Sequence, residues 1–370
     1  MMEENAPTRP SGCSSGSSSG WPSARRSDRP SGPLWDKARA LRERHWGRDV
    51  HLRGIVEFSS HCRRNCLYCG LRRDNTDLVR YRMDAGAVME CARAVKRLGF
   101  GTVVLQSGED PAWTGPDLAA LVARVKGELG LAVTLSVGER APGEYRLWRT
   151  AGADRYLLKM ETMDPELHAR LRPDSRFQDR LRCLESLFEL GYETGTGLIA
   201  GLPGERADGI ERGIQALAAL KPDMFSISPF TPHPATPLGA HPAFGVTETL
   251  RGMALARIAM PTAHIPVTSA LGLHGDAARL AGLEVGNVLM PSLTPEPVRE
   301  SYAIYPGKNR QGTGPEERAR AMRELLPQAG FTLPPGPGKA WRLGRGSAPG
   351  PRQGSAPGPR QGSALDPAGG

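Results

Sequence analysis

Three of the six cysteines in this 370-residue chain, Cys62, Cys66 and Cys69, fall in the stretch EFSSHCRRNCLYCGLRRDN with the spacing C-x3-C-x2-C. Thiolates bunched this way bind metal, and chance would produce such a triple on the order of once in several hundred chains of this cysteine content. A structural zinc site wants four protein ligands, usually two paired knuckles. The sequence has no second knuckle, and His61, which adjoins the triple, is poorly placed as a fourth ligand because adjacent residues rarely reach one tetrahedral ion together. Iron–sulfur clusters are also held by thiolates, and a four-iron cubane with three protein thiolates leaves one iron open to a substrate or cofactor. Tyr68 and Gly70 flank the last cysteine, which suits a loop that wraps a cluster and presses a ring against something flat. A non-catalytic scaffold that holds or delivers metal would use the same three thiols.

The elements that must position this loop follow a repeating pattern. Between about residues 33 and 327, β-rich runs alternate with amphipathic stretches, and eight strand candidates can be read: GIVEFSS, TVVLQS, AVTLSV, RYLLKM, TGTGLIAG, DMFSISP, IPVTSA and GNVLMP. The clearest helix spans 84–98, where Asp84 can cap, Val88, Cys91, Ala92, Val95 and Leu98 share a face, and Gly99 terminates. Eight βα repeats in some 300 residues predict an α/β fold closed into a (β/α)8 barrel over residues 34–328. Such barrels do their chemistry at the carboxyl ends of the strands, and here those ends are polar: Gln106 to Asp110, Ser136 to Arg140, Lys159 to Thr162, Thr268 and Ser269. A strand-end cation such as Lys159 is costly inside a barrel unless an anion faces it, either a ligand or an internal partner such as Glu161 or Asp154. Cys91 and Cys183 fall on helical faces and read as buried thiols.

Composition narrows the classes further. Residues 1–33, rich in Ser, Gly, Pro and Arg, read as a disordered leader without the apolar run of a secretory signal. Residues 329–370 read as a low-complexity tail in which GSAPGPRQ occurs twice in succession. The formal net charge is +9, but Lys339, Arg342, Arg345, Arg352 and Arg360 oppose only Asp366 after Gly330, so nearly half the excess lies in that tail. No basic stripe interleaved with aromatics marks the body, which argues against nucleic acid, and no apolar run is long enough to span a membrane. Bunched cysteines without a bridging pattern predict a cytoplasmic protein.

The cysteine loop resembles that of the radical S-adenosylmethionine (radical SAM) enzymes, whose signature is CxxxCx(aromatic)C. The blocks LQSGED, LSVGER, AGADRYLLKMET, LGYETGTGLIAGLPGE, SPFTPHPATPL, VTSALG, GNVLMPS and SYAIYPGK extend the resemblance, in order, to the HydE family of [FeFe]-hydrogenase maturases. Methylornithine synthase and, more distantly, biotin synthase are related to that family. The resemblance implies one [4Fe-4S] cluster on Cys62, Cys66 and Cys69, with S-adenosylmethionine chelated by the open iron and cleaved to a 5′-deoxyadenosyl radical. It implies that Tyr68, Gln106, Ser107, Gly108, Glu109, Ser136, Glu139, Glu161, Arg180, Met290 and Tyr302 surround S-adenosylmethionine, with Glu161 and Arg180 the two charged groups that contact it. It implies that Arg53, Gln106, Lys159, Thr268, Ser269 and Tyr305 line the substrate cavity. The implied substrate is small and organometallic, and the implied partners are the other hydrogenase maturases and an electron donor such as ferredoxin or flavodoxin. Amino-acid rearrangement of the methylornithine type remains an alternative. Two departures stand out: Met160 occupies a position where relatives often carry His, and no cysteine follows Cys183 to hold a second cluster.

Overall fold

In the computed structural model, residues 30–344 are described apart from 297 and 309–313; the leader up to Arg29 and the octapeptide repeats lie outside the described residues. The order is α1 (Pro33–Trp46), β1 (His51–Leu52), β2 (Gly54–Ser59), α2 (Ala85–Arg97), β3 (Thr102–Ser107), α3 (Gly115–Arg124), β4 (Ala132–Ser136), α4 (Pro142–Thr150), β5 (Arg155–Leu157), α5 (Pro165–Leu171) and α6 (Phe177–Glu189). Then come β6 (Glu193–Ala200), α7 (Gly209–Ala218), β7 (Met224–Pro229), α8 (Val246–Ala259), α9 (Ser269–Gly272), α10 (Asp276–Leu283), β8 (Val288–Leu289), α11 (Pro315–Gln328) and α12 (Trp341–Gly344). Asp84 caps α2 as expected, its carboxylate accepting from the Ala87 N–H at 2.8 Å.

Strands β2 to β7 pair in sequence order, all parallel. The ring is completed by irregular staves. Single bridges join Met224 to His264 and Pro266 to Val288, β1 pairs with β8, and Ile55 donates to Pro291 O at 2.9 Å while Leu293 donates back to Ile55 O at 2.7 Å. The IPVTSA candidate is therefore an extended stave and not a regular strand, and GNVLMP is regular over only two residues. Pro266 and Pro291 explain both, since a proline offers no N–H to a ladder.

Period-two alternation sorts the side chains. Val56, Phe58, Val103, Leu105, Val133, Leu135, Phe225 and Ile227 form the buried apolar layer beneath the helices. Their neighbours Glu57, Gln106, Ser136, Lys159, Ser226 and Ser228 point the other way and line an interior cavity. The barrel's inner wall is thus polar at the carboxyl end of its strands.

One boundary differs from the sequence reading. The stretch 329–344, assigned there to the tail, packs across the amino-terminal mouth of the barrel. Phe331 and Ala340 are buried, Arg155 donates to the carbonyls of Pro337 (3.2 Å) and Gly338 (3.0 Å), and the Ala340 N–H donates to Glu193 at 2.9 Å. Its role is carried by backbone carbonyls, which composition does not reveal. Among the described residues no helix is long and apolar enough to cross a membrane.

Candidate active site

The cysteine loop leaves β2 at Ser59 and is held as a rigid coil by bonds from outside it. Arg80 donates to the carbonyls of Ser60, Leu71, Arg72 and Asn75, Asn75 donates to Gly70 O, Leu67 N–H reaches Leu171 O, and Gly70 N–H reaches Ile304 O. Gly108 lies directly beneath: a Cβ there would meet Cys62 Cβ at 2.8 Å and press on the His61 carbonyl. Burial raises all three thiol pKa values, Cys62 to about 11, so the sulfurs stay protonated until a cationic group displaces the protons. The Glu109 N–H donates to Cys62 Sγ at 3.3 Å, a contact that favours the thiolate.

Inside the barrel, a cavity of about 370 Å³ opens at the strands' carboxyl ends. Tyr68, Cys69, Gln106, Ser107, Ser136, Lys159, Glu161, Arg180, Thr268, Ser269, Met290 and Tyr305 all line it. Twelve of the residues singled out from the sequence are therefore gathered around one cavity. Tyr68 rests on Leu167, Leu171, Leu202 and Phe230, and its hydroxyl accepts from Arg172 Nη1 at 2.8 Å. Ser269 and Tyr305 share a hydrogen bond of 2.5 Å. Tyr302 is buried one layer back, accepting from Gln106 Nε2 at 3.0 Å.

The charged groups around the cavity are paired with one another. Lys159 Nζ lies 3.0 Å from Glu161 Oε2, whereas Asp154 is taken by Lys126, so the strand-end cation has an internal partner at the cavity wall. Arg180 pairs with Glu139 at 2.6 Å and not with Glu161, and its Nε donates to Lys159 O at 2.7 Å. Glu139 is the hub: it also meets Arg64 at 2.7 Å, Arg172 at 3.2 Å and the Ser175 hydroxyl at 2.8 Å. Burial opposes its ionisation, but the Arg180, Arg172 and Arg64 guanidinia outweigh burial and lower its pKa to about 2. Glu109 is likewise occupied, by Arg63 at 3.1 Å, Arg64 at 2.6 Å and the Glu139 N–H at 2.9 Å. Both carboxylates brace the cysteine loop through Arg64, and Glu139 also holds Arg180. Arg53 is not brought to this cavity. It sits at the opposite mouth, with Nη2 on Gly338 O at 3.2 Å and Nη1 at 3.0 Å from Met224 Sδ.

Two groups escaped the sequence reading. Arg172 bridges Tyr68 and Glu139, and nothing in ARLRPD distinguishes it from a surface helix end. Glu57, fully buried on β2, pairs with Lys308 and accepts from Ser292 at 2.6 Å and from Thr294, tying the 302–308 segment over the cavity. Burial pushes its pKa up, and Lys308 with the two hydroxyls more than reverses that. The lone charged residue inside the apolar run GIVEFSS was the available signal.

Residues 56–217 match the family model described as the Radical SAM superfamily. Over 276 residues, 74% of this chain and 79% of the other, the sequence is 48% identical to the [FeFe] hydrogenase maturase subunit HydE of Thermotoga maritima. The chain belongs to the radical SAM superfamily. It is 32% identical over 266 residues to the 3-methylornithine synthase of Methanosarcina acetivorans, covering 70% of this chain and 75% of that one. The crystal structure of methylornithine synthase (PylB) superposes with a TM-score of 0.73 at 25% identity, covering 81% of this chain and 88% of that one. Radical SAM enzymes use a [4Fe-4S] cluster and S-adenosylmethionine, and Cys62, Cys66 and Cys69 carry the superfamily's cysteine signature. The donor set fits that pair. Three thiols on one loop, Cys66 buried and Cys62 and Cys69 half-buried, suit a cuboidal cluster, and Cys69 faces a cavity whose wall offers both a guanidinium and a carboxylate, complementary to an amino acid's two charges.

Proposed function

We propose that this radical SAM enzyme acts in assembly of the active-site cluster of an [FeFe] hydrogenase, as a HydE-type maturase. The observation that carries the reading is the 48% identity to a maturase across three quarters of both chains, against 32% to methylornithine synthase over a similar span. Bound on Cys62, Cys66 and Cys69, the cluster supplies an electron for reductive cleavage of S-adenosylmethionine. The chain's own residues do the confining. Tyr68 and Ser107 flank the cysteine side of the cavity, Arg180 and Glu161 present opposite charges to a zwitterion, and Met290 lines the wall beside β8. Gln106, Lys159, Thr268, Ser269 and Tyr305 are the groups we assign to a small organometallic substrate, since hydroxyls and one cation suit a carboxylate or cyanide ligand. The partners that go with this reading are the other hydrogenase maturases and a one-electron donor, in the cytoplasm.

Cell-free maturation of an [FeFe] hydrogenase, with and without this protein, tests the proposal. Hydrogen evolution should depend on its presence, and the Cys66→Ala variant should lose both the reduced-cluster electron paramagnetic resonance signal and the activity. Intact 5′-deoxyadenosine formation without any hydrogenase activation, or formation of a branched product from lysine, would point instead to a mutase of the methylornithine type.

A further inference from the structure

The end of α5 holds the cysteine loop at two adjacent residues. Leu171 O accepts from the Leu67 N–H at 2.9 Å, and Arg172 Nη1 donates to the Tyr68 hydroxyl at 2.8 Å. Arg172 is buried, and the carboxylate bonded to it among the described residues, Glu139 at 3.2 Å, also serves Arg180 and Arg64. Its Nε has no hydrogen-bond partner among those residues. A buried donor left unpaired is costly, and so is a buried cation whose counter-charge is divided among three. The positive charge left over acts on one sulfur of the loop. Arg172 first and Arg180 second favour the thiolate of Cys66, against Glu109. No cation does the same for the other two sulfurs among the leading influences on them: Glu109 acts on Cys62 and Glu161 on Cys69, each disfavouring the thiolate.

We propose that Arg172 is a positioning residue for the reductive step, whose cation, anchored by the Tyr68 hydroxyl and acting on Cys66, raises the reduction potential of the cluster. One electron from an external reductant enters the cluster and no atom is transferred. The negative charge it adds is stabilised by a guanidinium shielded from solvent, where a cation acts more strongly than at the surface. The inference rests on Cys62, Cys66 and Cys69 holding the cluster.

The test is the midpoint potential of the cluster in the full-length, anaerobically reconstituted protein without S-adenosylmethionine, read from the reduced-cluster electron paramagnetic resonance signal during titration with a low-potential reductant. Arg172→Met keeps an unbranched side chain, removes the charge and leaves Glu139 with Arg180 and Arg64. At a fixed potential its ratio of reduced to oxidised cluster should be at least tenfold below the parent's, a downward midpoint shift of about 59 mV or more for one electron. Arg172→Lys, which retains the charge, should stay closer to the parent than to Arg172→Met. Tyr68→Phe, which retains the guanidinium and loses only the hydroxyl, should shift less than Arg172→Met. A midpoint does not depend on how much cluster a variant loads, so poor reconstitution does not mask the result. A smaller shift in Arg172→Met, or a lysine variant that falls with it, leaves Arg172 a structural prop and overturns the proposal. An equal shift in Tyr68→Phe overturns it too, by placing the effect on the hydroxyl. If the unmutated protein shows no reducible cluster, it is the cluster reading that falls.

Discussion

Glu161 has φ of 67°, one of two non-glycine residues with positive φ among those described. A side-chain-bearing residue in the left-handed region costs about 1–2 kcal/mol, and such strain gathers at functional sites. It is held there by bonds to β6, with Glu161 N–H on Gly197 O and Ile199 N–H on Glu161 O, and the bend aims its carboxylate into the cavity beside Lys159. Glycine at this position should therefore be more stable than alanine by about 1 kcal/mol in urea denaturation, since both lose the ion pair and only one keeps the strain. Equal stability of Glu161→Gly and Glu161→Ala would contradict a strained backbone. Glu139 makes a pH prediction. Its folded pKa, about 2, lies below the ordinary 4.5, so its contribution is present above pH 4.5 and is lost as pH falls toward 2. That contribution is about 3 kcal/mol, and the urea midpoint of the cluster-free chain should drop more steeply below pH 5 than that of Glu139→Gln. Parallel curves would deny the hub its ionic role. At this scale the sequence located the polar strand ends but did not say which of their charges pair. QSGED and LKMET show which groups reach the cavity, whereas the choice of Glu139 over Glu161 as the partner of Arg180 depends on three-dimensional distances no spacing encodes.

At the scale of elements, the loop after β2 and the turn after β3 form one device. Gly108 N–H donates to Ser59 O at 3.1 Å, Arg63 N–H donates to Glu109 O at 2.9 Å, and the Glu109 N–H meets the Cys62 sulfur, so the two strand ends are stitched edge to edge. Glycine is required there by close approach alone, since a Cβ would strike the His61 carbonyl and the Cys62 Cβ. Gly108→Ala should thus displace the cysteine loop while leaving the barrel folded. The expected result is a several-fold lower iron content after reconstitution with unchanged far-ultraviolet circular dichroism; full iron loading would show that the loop yields freely. Six of the eight strands were legible because their residues alternate an apolar outer face with a polar or small inner one. IPVTSA and GNVLMP were legible as extended chain but not as irregular, since their prolines act on hydrogen bonds that only the closed ring defines.

The whole molecule is a barrel with a working end and a sealed end, and the seal lies in sequence that composition assigns to a tail. Arg155 is fully buried, and four groups satisfy it: Glu193 at 2.8 Å, Thr102 Oγ1 at 3.1 Å and the carbonyls of Pro337 and Gly338. His264 contacts Lys339 O at 3.1 Å, and Arg342 grips Asp223 at 2.8 and 3.0 Å. Removing the segment would strip two of four partners from a buried guanidinium and one donor from Glu193, and leaving buried charges so exposed costs about 3–5 kcal/mol. Two truncations separate the seal from the repeats. Deleting 345–370 should leave the thermal midpoint where it is, because none of these partners lies beyond Arg342. Deleting 332–370 should lower it by several degrees, as a loss of about 3 kcal/mol implies for a domain of this size. The cysteine loop, at the far end of the strands, should still load iron in the longer deletion at low temperature, showing that the loss is one of stability and not of the site. Equal melting of the two truncations would mean that the floor carries no weight in the fold.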